Sequence, residues 1–278
     1  MRLRRTLLML SLLIFSAVSK SQAQIPLYSQ VSAETNAMGG AGVSFVSDNA
    51  LAIIANPAEL GLFSLKGAFT ASYTPTVPDQ LNAFAFNTGL TLNRVLPMLP
   101  FKVGFGIAYS NPNYSYVATG PASPVLSTAS DRANGLTFGV GADDVVKLGL
   151  GYTLRWVTSN IGLPVHYHSI YAPDFGIIVG IPVVSLISRL GSRSDVSFGG
   201  VTPVLNLAVG YAQRNAGDYA PYAAAALPRE ANLGWNIEVG LKSQIDRHPW
   251  KWLSLTLIRQ ASASLVLNED TAVTYEGV

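Results

Sequence analysis

The chain has 278 residues, of which 49% are hydrophobic and only 12% are charged, and its formal net charge is +2 at pH 7. A soluble domain of this size usually carries about twice that charged fraction, and the balanced charge gives no reason to expect a nucleic-acid partner. Because the sequence contains no cysteine, disulfides, thiolate metal sites and cysteine nucleophiles are excluded.

The first residues have the pattern of a cleaved secretory signal peptide. A basic region (Arg2, Arg4 and Arg5) precedes an apolar run from Leu7 to Val18, and Ser21-Gln22-Ala23 supplies small residues for cleavage. We therefore predict that residues 1–23 form the signal peptide. The alternative is an uncleaved anchor, but the apolar run is short for a membrane span, which needs roughly 20 residues.

The stretch behind the signal peptide is rich in glycine and ends in an Asn-Pro pair. A short apolar run separates its glycines and Asp48 from Asn56-Pro57-Ala58. Pro57 fixes its own φ and Asn56 readily occupies turns, so a structural turn is a better interpretation of this pair than a ligand site. The candidate residues of this motif are Gly39, Gly40, Gly42, Asp48, Asn56 and Pro57.

Further along the chain, several segments alternate large apolar residues with small or polar ones. In Leu233–Leu241 every second residue is large and apolar, whereas a helix would place Glu238 and Lys242 beside Trp235 and Leu241. This period of two predicts strands here and in three similar segments. The similar segments are Lys102–Tyr109, Lys147–Trp156 and Leu205–Ala212. Less regular strands are expected at Leu65–Tyr73, Phe84–Leu92, Leu136–Gly141, Phe175–Gly180, Lys251–Ile258 and Ser262–Leu267.

Two kinds of connection join these segments. Ala142-Asp143-Asp144 is short enough for a tight turn, whereas three long polar stretches are expected to be loops at the opposite end of the strands. The three stretches are Asn111–Asn134, Thr158–Pro173 and Arg214–Arg229. Val183–Leu190 could be either a short helix or a strand with its turn.

The apolar composition predicts a transmembrane antiparallel β-barrel. Mean hydropathy is +0.31, yet no apolar run after Gln24 is long enough to span a membrane as a helix, and a closed barrel is then the architecture that pairs every backbone group in lipid. The face opposite the large residues is rich in glycine, which indicates a filled lumen or an approaching inner segment. A soluble β-sandwich is the alternative, although its outward face would be charged.

In such a barrel the large residues face lipid and the alternate positions face the lumen. The polar residues predicted to face the lumen are Lys147, Arg155, Asn232, Asn236, Glu238 and Lys242. Aromatic rings settle at the headgroup level of a membrane. The predicted membrane-interface aromatics are Tyr152, Trp156, Tyr211, Trp235, Trp250 and Trp252.

The motifs resemble those of FadL-type outer-membrane barrels, and most closely the PorV/PorQ-type family. Besides the glycine-rich segment and Asn56-Pro57-Ala58, the resemblance is carried by Ala172–Gly176, Asn206–Asn215 and Leu227–Trp235. It implies a barrel of about fourteen strands in the outer membrane of a Gram-negative bacterium. By the same resemblance, residues 24–63 would form a hatch inside the lumen and residues 64–278 the barrel.

The predicted strands are fewer than the family pattern requires. We count about ten to twelve of them, where that pattern has about fourteen. The chain also ends in Thr274–Val278 without the terminal aromatic residue that outer-membrane assembly commonly recognises. We therefore expect a barrel that is truncated at its C-terminus.

The resemblance implies a non-enzymatic role, and two roles remain open. One is an accessory role in type IX protein secretion, with secreted cargo or secretion components as partners; the other is a FadL-like conduit for hydrophobic molecules. Outer-membrane lipids are expected partners in both cases. A barrel enzyme that modifies lipids and a purely structural protein are the alternatives.

We predict no catalytic, cofactor-binding or metal-binding residue. The sequence has no G-x-S-x-G, H-E-x-x-H or P-loop pattern. His166 and His168 would share one face of a strand, but a pair of rim residues is a better interpretation than two metal ligands.

Overall fold

The computed structural model describes residues 32–38, 40–47, 49–75, 82–120, 123–160, 166–190, 200–216, 229–245 and 248–265. Most of these residues belong to one antiparallel sheet. The predicted signal peptide, residues 24–31 of the predicted hatch, Gly39 and Asp48 lie outside the described residues.

Nine strands follow one another in the order β1-β2-β3-β4-β5-β7-β8-β9-β10, and the tenth, β6, pairs with β5. Their bounds are β1 Phe69–Pro75, β2 Asn82–Thr91, β3 Lys102–Gly120, β4 Ser123–Asp143, β5 Lys147–Asn160, β6 His166–Tyr171, β7 Asp174–Pro182, β8 Val201–Arg214, β9 Arg229–Ile245 and β10 His248–Leu265. β7 pairs with the first half of β5 and β6 with its end, so β6 and β7 together occupy one position in the sheet.

The four alternating segments are strands, as predicted, and their pairing keeps like residues on the same face. Between β4 and β5, Phe138 pairs with Tyr152 and Val140 with Leu150 on one face, while Gly139 pairs with Gly151 on the other. A one-residue slip would exchange the two faces, so this alternation fixes the register. We call the face with the large side chains the outer face and the opposite one the covered face.

The described helices are short. α1 spans Ala33–Ala37, α2 spans Glu59–Ser64 and α3 spans Val183–Leu190, with 3₁₀ turns at Ala50–Ile54 and Leu92–Arg94. Of the two alternatives for Val183–Leu190, the helix is confirmed. None of the helices in the described part of the chain has both the length and the apolar character needed to cross a membrane.

The prediction of a loop at Asn111–Asn134, the longest of the three, is wrong. Asn111–Asn134 continues β3 and β4 into a hairpin, in which β3 pairs with β4 as far as Gly120 and Ser123. β2 pairs with β3 only as far as Asn113, so the tip of this hairpin extends beyond its neighbours. Its polar sequence lacks the apolar alternation of a half-buried strand, so the sequence pattern predicts a loop where the chain forms strand.

Of the other two predicted loops, Thr158–Pro173 also contains strand, whereas Arg214–Arg229 joins the end of β8 to the start of β9, as predicted. β5 continues to Asn160 and β6 covers His166–Tyr171, whereas residues 161–165 and 217–228 lie outside the described residues. β10 runs without interruption through Ser262, so the last two predicted strands are one. We call the end of the sheet with the β3–β4 hairpin the far end. The opposite end, with the Asp144–Val146 connection, is the near end.

The inner segment, defined as Gly42–Leu65, lies against the covered face of the sheet. The Ala50 N–H donates to Ser72 Oγ of β1 at 3.1 Å, and the Gly42 N–H donates to Gln260 Oε1 of β10, also at 3.1 Å. The stretch of chain from Gly42 to Ala50 spans less than about 30 Å even when it is fully extended. The sheet therefore curls around the inner segment, although the pairings of the described residues do not join β1 to β10.

Candidate functional site between the inner segment and the sheet

Glycines of the covered face bring the strands into backbone contact with the inner segment. A Cβ added at Gly149 would lie 2.6 Å from the Ala58 carbonyl oxygen, and one at Gly139 would lie 2.6 Å from the Gly61 nitrogen. Real Cβ atoms essentially never approach another heavy atom so closely. The glycine-rich face predicted from the sequence is thus the surface on which the inner segment packs.

Asn56 and Pro57 occupy the middle of this contact and are fully buried. Asn56 Nδ2 donates to the Val43 carbonyl at 2.5 Å, and Asn56 Oδ1 accepts from the Ala58 N–H at 3.0 Å. The side chain thus closes the local turn and also ties it to the start of the inner segment. This arrangement agrees with the structural turn predicted for the pair.

An apolar cluster fills the space between the inner segment and β2–β3. It consists of Ala50, Leu51, Ile53, Ile54, Leu60, Phe63, Ala83, Ala85 and Ala108. The strands contribute only alanine, whereas the inner segment contributes the large side chains. Small side chains on the strands and large ones on the inner segment are consistent with the close approach of the two backbones, because large residues on both sides would not fit.

The two described glycines of the predicted motif have different roles. Gly40 has a φ of 87°, which glycine adopts without the penalty of other residues, and its N–H donates to the Thr35 carbonyl just after α1. Gly42 is buried, and a Cβ at this position would lie 2.7 Å from Thr35 Cγ2.

The polar residues of β9 hold the beginning of the inner segment. Asn236 Nδ2 donates to the Ser44 carbonyl, and Asn232 Oδ1 accepts from Gln260 Nε2 at 3.0 Å. Gln260 Oε1 in turn accepts from the N–H groups of Gly42 and Val43. Asn232 and Asn236 are therefore on the covered face, and both are buried.

Arg155 belongs to a buried ion pair toward the far end. Its Nη2 faces Asp174 Oδ2 as an ion pair rather than as a well-aligned hydrogen bond, and the two side chains are 5% and 1% exposed. Asp174 Oδ1 also accepts from the N–H of Asn215 at 2.8 Å, and Arg214 pairs with Glu230 at 3.3 Å. These contacts join β5, β7, β8 and β9 on one face.

The remaining predicted polar residues lie closer to the near end. Glu238 is half-buried and accepts from Asn206 Nδ2 at 2.8 Å and from Lys251 Nζ and Ser254 Oγ at 2.9 Å. Lys147 and Lys242 are exposed at the ends of their strands. The structure therefore does not bring all six predicted polar residues into one cluster.

The predicted interface aromatics lie at different heights on the outer face. Toward the far end, Tyr152 Oη bonds Tyr171 Oη at 3.0 Å, and the ring of Trp156 lies against that of Tyr171. Tyr211 lies three residues before the end of β8, and Trp235 lies further into β9. Trp250 and Trp252 are exposed near the start of β10, where a bulge between Lys251 and Leu253 interrupts strict alternation.

Two carboxylates meet at Ser47 in the inner segment. Glu59 is buried and its Oε2 accepts from the Ser47 N–H at 3.4 Å, while Ser47 Oγ donates to Glu34. Burial raises the pKa of Glu59 well above its usual value, and the nearby Glu34 raises it further. The contact with the Ser47 N–H acts in the opposite direction but is the smaller influence.

Sequence analysis missed Gln260, Asp174, Arg214 and Glu59 as residues of this site. Gln260 and Arg214 lie on the covered face at positions that the period-two pattern could have identified. Glu59 gave a weaker signal, because an acidic residue after Asn-Pro-Ala also fits the first turn of an exposed helix.

No protein-family model matches the chain, and no curated protein or solved structure is similar to it at a significant level. In the described residues, no group of three or more histidine, aspartate or glutamate side chains is arranged to hold a metal ion. The side chains of His166 and His168 lie outside the described residues. The described contacts of the site fix the inner segment to the sheet.

Proposed function

We propose that the chain is an outer-membrane β-barrel of the PorV/PorQ type whose inner segment plugs the lumen. The observation that carries this proposal is the outer face, which exposes large apolar residues on almost every strand while the opposite face is buried. Exposed apolar patches on soluble monomers rarely exceed a few hundred Å². On β10 alone, Leu253, Leu255 and Leu257 are 61%, 70% and 60% exposed.

The height of the apolar band supports a membrane setting. On β5 the outward residues from Leu148 to Trp156 are all apolar or aromatic, which at 3.3 Å per residue gives about 26 Å along the strand, or about 20 Å across the membrane at a barrel tilt of about 40°. The apolar band of an outer-membrane barrel is about 25 Å tall. At the edge of this band, where Asn134 pairs with Trp156, Asn134 Oδ1 accepts from Tyr109 Oη at 3.0 Å and from Asn111 Nδ2 at 2.6 Å, as expected at a headgroup boundary.

The curvature of the sheet supports closure into a barrel. Both edge strands, β1 and β10, bond to the same short stretch of the inner segment. A sheet edge left open in lipid is very costly, because its backbone groups have no water to bond. In the proposed barrel, further pairing therefore joins the two edges, as in the roughly fourteen-stranded family pattern.

Between the two roles that the resemblance implies, the tight packing favours the secretion accessory. A conduit needs a path beside the plug, yet strand backbone touches the inner segment at glycines on β2, β3, β4, β5, β7, β8 and β9. The β3–β4 hairpin adds a surface for protein contacts, since its tip extends beyond β2 and β5 by about 20–25 Å. In this account, the barrel receives secreted protein or secretion components at its far end.

Single-cysteine labelling tests the membrane setting, because the chain has no cysteine of its own. Leu255→Cys and Thr256→Cys lie next to each other on β10 and face opposite sides. The fluorophore bimane is attached to each cysteine in protein folded into vesicles that contain a lipid with a nitroxide on its acyl chain. We expect the nitroxide to quench bimane at Leu255→Cys and to leave bimane at Thr256→Cys unaffected. Equal responses at both positions would contradict a lipid-facing outer face.

Truncation of the hairpin tests the secretion role. Residues 117–128 would be replaced by an Asn-Gly turn, which supports a two-residue hairpin connection and keeps Tyr116 paired with Ala129. In the native bacterium we expect normal amounts of barrel in the outer membrane but reduced release of secreted proteins and unchanged uptake of a labelled fatty acid. Normal secretion with reduced fatty-acid uptake would instead favour the conduit.

A further inference from the structure

At the far end, β3 continues beyond its neighbour β2. β2 pairs with β3 only as far as Asn113, whereas β3 runs on against β4 to Gly120. Among the strands that the structure describes, none pairs with residues 114–120 on the side of β2. We call this side of residues 114–120 the hairpin edge. At 3.3 Å per residue it is about 23 Å long.

The pairing of β2 shows in which direction the backbone groups of β3 point. The Gly89 N–H donates to the Ala68 carbonyl on the side of β1. Because backbone groups point to alternate sides along a strand, those of the preceding residue, Thr88, face β3. Thr88 pairs with Ile107, so the backbone groups of Ile107 face β2.

The same alternation can be followed from Ile107 to the hairpin edge. The register between β3 and β4 has no shift over residues 102–118. The N–H and C=O groups of Ser115 and Val117 therefore face the hairpin edge, while those of Tyr116 face β4. The hairpin edge thus presents a row of main-chain donors and acceptors.

The sequence of this stretch does not discourage a further strand. Natural proteins block sheet edges with charged residues or with proline. Residues 103–130 include no charged residue, and residues 114–120 include no proline. The hairpin edge is therefore a template on which another strand can pair.

The geometry favours an extended segment of a different protein as the occupant. A strand that is added to a sheet edge is held mainly by main-chain hydrogen bonds, which only another extended backbone can supply. A second copy in the same membrane would point its hairpin in the same direction, so two hairpin edges could meet only in parallel, the less stable pairing. A protein outside the membrane can approach in the antiparallel direction.

We infer that a secreted protein adds an extended, proline-free segment to the hairpin edge as an antiparallel strand. Because main-chain bonds supply the affinity, such a contact can accept secreted proteins of different sequence. This inference rests on the proposed secretion role and specifies the contact by which the far end holds its cargo.

Two double variants test the contact in the native bacterium. Ser115→Pro with Val117→Pro removes two N–H groups from the hairpin edge, and proline is tolerated on an edge strand. Ser115→Ala with Val117→Ala changes the same side chains but keeps both N–H groups, so it is the matched control. Gel migration of the unheated protein reports whether each variant forms the barrel.

We expect the proline variant to release as little secreted protein as the truncated hairpin, and the alanine variant to release normal amounts. Normal release by the proline variant, with reduced release after truncation, would overturn strand addition while the secretion role stands. Normal release after truncation as well would overturn both proposals. Equal losses in the proline and alanine variants would assign the contact to side chains and overturn strand addition.

Amide hydrogen exchange of the parent protein in lipid nanodiscs decides the question even if the proline variant does not fold. The probe is a periplasmic extract of the strain with the truncated hairpin, which holds the proteins that this strain fails to release. We expect fast exchange at Ser115 and Val117 in the protein alone, slowed about tenfold or more by the extract. The Tyr116 amide should exchange slowly in both samples.

Two results of the exchange experiment would overturn the inference. Exchange at Ser115 and Val117 that stays fast with the extract would show that no strand is added. Slow exchange at both positions in the protein alone would show that this chain or a second copy already covers the hairpin edge.

Discussion

Contact between backbones is the most informative feature at the scale of single residues. Gly149 and Gly139 are needed because their strands touch the main chain of the inner segment. Gly180 lies on the same face, but a Cβ there would have its closest neighbour at 3.6 Å, which is an ordinary contact. The covered face therefore contains both required and replaceable glycines, and the two kinds can be compared directly.

Gly149→Ala should destabilise the protein and Gly180→Ala should not. The added methyl at position 149 would press on the Ala58 carbonyl oxygen, and overpacking of this kind costs about 1–3 kcal/mol. Urea unfolding of both variants in lipid vesicles measures the difference. Equal stabilities would show that the inner segment does not pack on this face as described.

Glu59 predicts a pH dependence of stability. Its pKa is raised in the folded protein by burial and by Glu34, so the folded state binds more protons than the unfolded state between the unfolded and folded pKa values. Its contribution is therefore most favourable below the pKa of the unfolded state and is lost as the pH rises through the higher pKa of the folded state.

Glu59→Gln keeps an acceptor for the Ser47 N–H but cannot ionise. We expect the advantage of this variant over the parent protein, measured as the difference in urea midpoint, to grow from pH 4 toward neutral pH. A difference that does not change with pH would mean that Glu59 ionises without penalty and is not buried in solution.

At the scale of elements, a buried ion pair links β5 to β7. Arg155 and Asp174 are both almost fully buried, and a buried charge that loses its partner is strongly destabilising. Asp174 also receives the N–H of Asn215, so the pair positions the chain that leaves β8.

Arg155→Met should cost about 3–5 kcal/mol, because it leaves the carboxylate of Asp174 buried without its cation. The double variant Arg155→Met with Asp174→Leu should recover much of this loss, since it removes both charges and keeps the volume. Unfolding of the double variant and of both single variants, Arg155→Met and Asp174→Leu, under the same conditions measures the coupling. Additive losses would indicate that the two side chains act independently.

The sequence was sufficient to predict the strands and their two faces where one face is buried. Leu233–Leu241 is an example, because burial of one face imposes a period of two. The hairpin tip near Gly120 was not predictable in this way, since nothing forces alternation on a strand that extends beyond its neighbours. The ion pair of Arg155 with Asp174 depends on how β7 pairs with β5, which no local pattern specifies.

For the candidate site, the sequence indicated that a segment approaches the glycine-rich face, and the resemblance named the N-terminal stretch. The partners of Asn56 could not be derived, because Val43 and the strand glycines reach it only through the tertiary fold. Asp48 and Gly39 lie outside the described residues, so their parts in the motif stay predictions.

At the scale of the whole molecule, the curled sheet, its apolar outer face and the fixed inner segment support the proposal of a plugged membrane barrel. The two edges of the sheet, β1 and β10, must be joined in such a barrel, directly or by further strands. The proposed role of the hairpin at the far end depends on this closure.

Heat-modifiable gel migration of the protein extracted from outer membranes tests closure most directly, because a closed barrel resists unfolding by dodecyl sulfate until it is heated. We predict that the chain is recovered in the outer-membrane fraction and that unheated and boiled samples migrate differently. Recovery in the soluble fraction, or identical migration before and after boiling, would contradict the plugged barrel.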